Sequence, residues 1–164
     1  MSANLGSAGR PLHRLGIAWI IFCFALALHV TDEALTGFLS VNNPTVLALR
    51  QKLGFWPMPT FTFRVWLTGL IMVILLFLAL SPPMFRNVGW MRLVAYFCAI
   101  VIGILNALGH TFATILGHTV RSVTFPRPAP GFYSSPTLFA AACFLLVQLR
   151  RTRPAVQMLP QDRK

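Results

Sequence analysis

The sequence predicts an all-α integral membrane bundle of four transmembrane helices, with a short interfacial helix between helices one and two. Three observations carry this reading. Of 164 residues, 56% are hydrophobic and 10% charged, which is too little mixed charge to cover an ordinary soluble domain. Four apolar runs approach the roughly 20 residues that a hydrocarbon core demands. Finally, 14 Lys and Arg face only 3 acids, and the cations sit singly or in pairs beside those runs, where anionic lipid headgroups meet them. A net charge of +11 distributed this way points to a lipid bilayer as partner and away from nucleic acid.

A basic N-terminal tail, 1–14, precedes a transmembrane domain over 15–150, and a second basic tail follows over 151–164. The first span runs from Leu15 to Thr36, the second from Thr60 to Ser81, where Pro82 and Pro83 stop it. The third, Gly89 to Leu116, is longer than a crossing needs and must tilt or protrude. A Pro-rich loop from Pro126 to Gly131 separates it from the fourth, Ser134 to Leu149. Small residues such as Gly69, Gly103, Ala107 and Gly109 suit close helix contacts. Trp19, Trp66 and Trp90 read as packing residues or headgroup-level anchors. Cys23, Cys98 and Cys143 each lie inside an apolar run without any metal or redox spacing, so they read as packing residues.

Between spans one and two, Asn43 suits a helix cap, Pro44 the first helical position and Gly54 the residue past the end. Val46, Leu47, Leu49 and Leu53 lie opposite Arg50, Gln51 and Lys52, which makes a short amphipathic helix that rests in headgroups or forms a lid. Orientation follows from the basic flanks. Arg10, Arg14, Arg86, Arg92, Arg150, Arg151, Arg153, Arg163 and Lys164 fall on one side, and Arg50, Lys52, Arg64, Arg121 and Arg127 on the other. The richer side is cytoplasmic, giving a multi-pass protein of the cell membrane with both termini inside. A rival reading takes Arg10, Arg14, the apolar run and Ala25-Leu26-Ala27 as a cleaved secretory signal. Cleavage there removes the first helix just before His29 and leaves three spans.

Ionisable residues inside a span are costly and mark bundle interiors or sites. In the first span, His29 and Glu33 stand four residues apart on one helix face, with Asp32 one step aside. In the third, Asn106 and His110 repeat that spacing, and His118 follows two turns later. Counting from Arg14 and Arg92 at ~1.5 Å per residue, His29 and Asn106 both lie roughly 21 to 23 Å from the inner side, and Glu33 and His110 roughly 27 to 29 Å. Helices one and three run the same way in an up-down bundle and can face each other across it. The expected cluster offers His29, Asp32, Glu33 and His110 as ligands for Zn or Fe, with Asn106 and His118 as supporting residues around them. Glu33 and Asp32 are the candidate catalytic acid-base groups. Two function classes follow. One is a metal-dependent or acid-base membrane enzyme, a hydrolase or oxidoreductase acting on a lipid-like small-molecule substrate. The other is a non-enzymatic structural partner or small proton- or ion-coupled transporter, in which the same residues are interhelical polar pairs. Tyr133 reaches toward the site in one reading of Pro130 to Ser135 and merely belongs to a helix-entry turn in the other, which fits better.

The stretch His29-Val30-Thr31-Asp32-Glu33 resembles the signature of the bacterial HXXEE-domain integral membrane proteins, with Asp32 in the place of the first family Glu. Asn106 with His110, and the Pro130-Gly131 turn, are similar to the later motifs of that family, so the resemblance covers Leu15 to Leu149. The stretch from Arg121 to Pro130 is more basic and Pro-rich than the family pattern. The family is functionally uncharacterised. The resemblance therefore implies the site and the helical membrane fold, and names no reaction.

Overall fold

Leu15, Ala18, Phe22, Leu26 and Val30 recur at steps of three and four residues and are all buried, so one face of the first helix is apolar along its length. Leu138, Ala141, Leu145 and Leu149 do the same near the C-terminus, and these two faces pack on each other as one of the principal helix contacts of the bundle. In the computed structural model, which describes residues 5–118 and 120–152, the protein is all-α. Among the described residues there are six helices: α1 (Leu5–Leu35), α2 (Leu39–Leu53), α3 (Phe63–Ala79), α4 (Ser81–Phe85), α5 (Gly89–Leu116) and α6 (Ser135–Arg151). The tail expected over 151–164 lies outside the described residues beyond Thr152.

Two stretches are long and apolar enough to cross a membrane. They are Pro11–Leu35 of α1, with a mean hydropathy of 1.9, and the whole of α5, with 2.0. The shorter α3 is apolar too. Large side chains of α3 and α5, among them Val65, Met72, Leu76, Leu93, Phe97 and Ile115, are exposed. Trp19 belongs to the core, where its indole N–H donates to the Phe77 carbonyl of α3 at 2.8 Å. Trp66 is buried against Phe38, whereas Trp90 is exposed. Cys23 and Cys98 are buried and Cys143 partly so, all as free thiols.

Several boundaries differ from the sequence expectation. α1 starts at Leu5, ten residues before the expected span, and carries Pro11 within it. Gly and Pro disfavour a helix interior by about 1 and about 3 kcal/mol each, which is why these residues read as a tail in the sequence. Pro82 and Pro83 do not end a helix. α3 has already closed at Leu80, and the two prolines open α4, where their missing N–H groups belong to the unpaired first turn. α2 begins at Leu39 and not at Asn43. Asn43 instead bonds the backbone of Phe61 twice, through its amide to the carbonyl (2.8 Å) and from the Phe61 N–H (3.1 Å). Gly54 does close α2, at φ 73°. Of the expected contact residues, Gly103 meets Ala142 of α6 and Ala107 is buried, but Gly69 and Gly109 face open space.

One irregularity sets the geometry of everything after it. Within α5, Cys98–Leu105 is π-helical, so its bonds run i to i+5 and each turn carries an extra residue. Asn106 resumes the α pitch. The side chains beyond this segment are thereby rotated relative to those before it.

Candidate metal centre

The site forms where the upper turns of α1 and α5 meet the entry to α6. His29 and Glu33 project from successive turns of α1, and His110 from α5; their side chains are 1%, 7% and 9% exposed. Glu33 Oε1 lies 3.2 Å from His110 Nε2 and 3.6 Å from His29 Nε2. The two imidazoles meet edge to face with centroids 4.8 Å apart. One ligand atom from each of the three residues falls within 4.8 Å of the others. A tetrahedral ion with bonds of ~2.1 Å holds its ligand atoms ~3.4 Å apart; the two Glu33 distances bracket that value, while the three atoms as a set lie within 4.8 Å of one another and would draw together around an ion. Two imidazoles and one carboxylate are also the donor set of His₂Glu zinc sites and of non-haem iron sites that keep open positions.

A second layer of bonds orients the ligands. Asp32, one residue before Glu33 and about 100° round the helix, turns away from the ion site. Its Oδ2 accepts from both the backbone N–H and the hydroxyl of Ser134, each at 2.8 Å. With its proton given to Asp32, the Ser134 hydroxyl accepts from His29 Nδ1 at 2.9 Å. That fixes the tautomer of His29 and puts its Nε2 lone pair on the cluster side, where it accepts from the Asn106 amide at 3.0 Å and would have to give up that bond to ligate an ion. The level matching of the two helices thus holds in three dimensions: Glu33 meets His110 and His29 meets Asn106.

The Pro130-Gly131 turn closes over the cluster. Gly131 adopts φ +82°, and a Cβ there would lie 2.8 Å from His110 Cε1 and 2.9 Å from Glu33 Cγ. Only glycine serves both the backbone angle and the approach. The turn is pinned by its N–H to Thr36 Oγ1 (3.1 Å) and by its carbonyl, which accepts from Ser135 Oγ at 2.7 Å. Tyr133 is 68% exposed and points away, as a helix-entry turn requires.

His118 stands apart from the site. It is exposed beyond the left-handed Gly117 that ends α5, in a group with Lys52 and Arg121. Two residues of the site escaped the sequence reading. Ser134 looked like helix-entry punctuation, and its one signal was its place after the Pro-Gly turn. Thr36 looked like the end of an apolar run.

An apolar cavity of about 260 Å³ adjoins the cluster, walled by Phe38, Val41, Leu105, Ala113, Phe125 and Pro130, with Asn106 and His110 at its floor. α2 lines one side of it through Val41, Asn42 and Thr45. No protein-family model matches the chain, and neither a curated protein nor a solved structure matches it.

Proposed function

We propose that the protein spans the cell membrane four times with both termini cytoplasmic, and that His29, Glu33 and His110 hold a zinc or iron ion for hydrolytic or oxidoreductive chemistry on a lipid-like substrate. The observation that supports this is the convergence of three buried ligand atoms, with one of the three residues, His110, lining an apolar cavity. An ion there supplies Lewis acidity or an activated water in a dry setting. Glu33 brings a second carboxylate oxygen within reach as proton acceptor, while Asp32, engaged by Ser134, positions His29. The apolar side chains that α3 and α5 expose accord with a lipid surround, and the resemblance to the HXXEE-domain proteins accords with the site.

A second reading takes the same residues as interhelical polar pairs. It is favoured by one observation: among the described residues, every buried side-chain nitrogen and oxygen has a partner. Metal content separates the two. Protein purified in detergent without a His tag is expected to carry near-stoichiometric Zn or Fe that His29→Ala and His110→Ala both lose. Metal-free protein that folds normally would overturn the metal centre. For the topology, single-cysteine variants at positions 48 and 128 are expected to label from outside and those at 5 and 87 only after permeabilisation.

A further inference from the structure

We infer that the cavity beside the cluster receives an anionic lipid, its headgroup held by Lys52, His118 and Arg121 and its acyl chain reaching down to Asn106 and His110. Resting on the metal-centre reading, this names the substrate class of that site. A second cavity of about 450 Å³ lies beyond the first, lined by Ala48, Gln51, Lys52, His118, Arg121 and Ser122. α2 lines both. Thr45 belongs to the apolar cavity and Ala48 to the basic one, and a spacing of three puts them on one face in successive turns. From Asn42, beside the floor, to Lys52 is about 15 Å along the helix, or nearly three turns.

The charge at this end is unanswered among the described residues. Arg50 is committed to the carbonyls of Trp56 (3.4 Å) and Met58 (2.7 Å), and Arg127 to that of Leu116 (3.3 Å). Lys52 and Arg121 are exposed, and no carboxylate among the described residues pairs with either. Of the chain's 3 acids, Asp32 and Glu33 are spent in the cluster, and Asp162 lies outside the described residues. A cationic mouth above an apolar shaft recognises an amphiphile with a negative head, whereas a free anion has no use for the shaft. The arrangement sets the ligands against the chain of the lipid and keeps its ester and phosphate groups nearly three turns away.

The test reconstitutes the full chain in phosphatidylcholine vesicles containing a small fraction of phosphatidylglycerol with a photoreactive diazirine in its acyl chain. Labelled residues are mapped by mass spectrometry, and metal content is measured on the same sample. Label is expected within 38–45 and 105–113. Lys52→Gln or Arg121→Gln alone should lower it about fivefold, and both together about twentyfold. Both side chains are exposed, so folding is not at stake. Equal labelling by a diazirine phosphatidylcholine, labelling that survives the double substitution, or displacement by inorganic phosphate would each overturn the lipid site. Selective labelling of metal-free protein would refute the metal centre and leave the lipid site standing; bound metal without headgroup selectivity would do the reverse.

Discussion

Arg92 and Glu33 are both charged side chains buried in apolar helices, 8% and 5% exposed, and they differ in what surrounds them. The Arg92 guanidinium spends its donors on the carbonyls of Leu149 (2.6 Å) and Thr152 (2.8 Å) and on Asn87 Oδ1 (2.7 Å). Those carbonyls are the unpaired end of α6, so the charge caps a helix and faces no cavity. Glu33 meets two imidazoles, one of which borders a cavity. Its neighbours bring lone pairs together at one point instead of pairing them off with backbone. Burial alone therefore does not mark a site in this protein. What marks it is ligand atoms that converge on one another and on open space.

The largest effect that would sharpen this contrast is expected from His110→Ala, which removes a ligand next to an existing cavity. Metal affinity should fall more than a hundredfold, exceeding the loss from an outer-layer change, as measured by competition with a chelator, with helical content retained. Next comes Arg92→Met, which leaves the last carbonyls of α6 without their donor and should lower stability by about 3 kcal/mol in a denaturation series. Metal stoichiometry of its folded fraction should not change; if it did, the two ends would not be independent.

Ser134→Ala lies between the two classes, because Ser134 is both the residue before α6 and the link from Asp32 to His29. Metal affinity is expected to drop about 10- to 100-fold, with about 1 kcal/mol of stability. Unchanged affinity would show that His29 needs no orienting partner. The smallest change is expected from Asn43→Ala, which frees α2 from Phe61 at a cost of about 1 kcal/mol. Hydrogen exchange should rise along α2 while bound metal stays constant.

How much of this was legible in the sequence depended on whether a signal was local. His29 with Glu33, and Asn106 with His110, announce themselves as polar pairs at a spacing of four inside apolar runs, and depth counting aligned them. Asp32 and Glu33 are indistinguishable in sequence. The helix separates them by a rotation, sending one to Ser134 and the other to His110. Arg92 read as a headgroup anchor because its partners lie 57 and 60 residues away, beyond any window in which periodicity speaks. The start of α1 was hidden by Gly6, Gly9 and Pro11, which resemble a tail until the helix behind them is known. The π-helical stretch Cys98–Leu105 is uniformly apolar, and a run with no polar face cannot reveal its own pitch.

That wide stretch works as a phase adjuster. Arg92 and His110 must serve opposite ends of one helix, the first turned toward the C-terminus of α6 and the second toward Glu33 of α1. A uniform α pitch fixes the angle between them by residue count alone, whereas an extra residue per turn lets that angle be reset by about 100° without a loop or a kink. Deleting one residue between Cys98 and Leu105 should let the α pitch return and leave His110 in the cluster, because the lost residue removes the same ~100° that the wide turns absorb, whereas inserting one α-helical residue there should swing His110 out while Arg92 keeps its hold on α6. The helix is thus two rulers joined at Asn106, and the register at that joint decides whether the ligands meet.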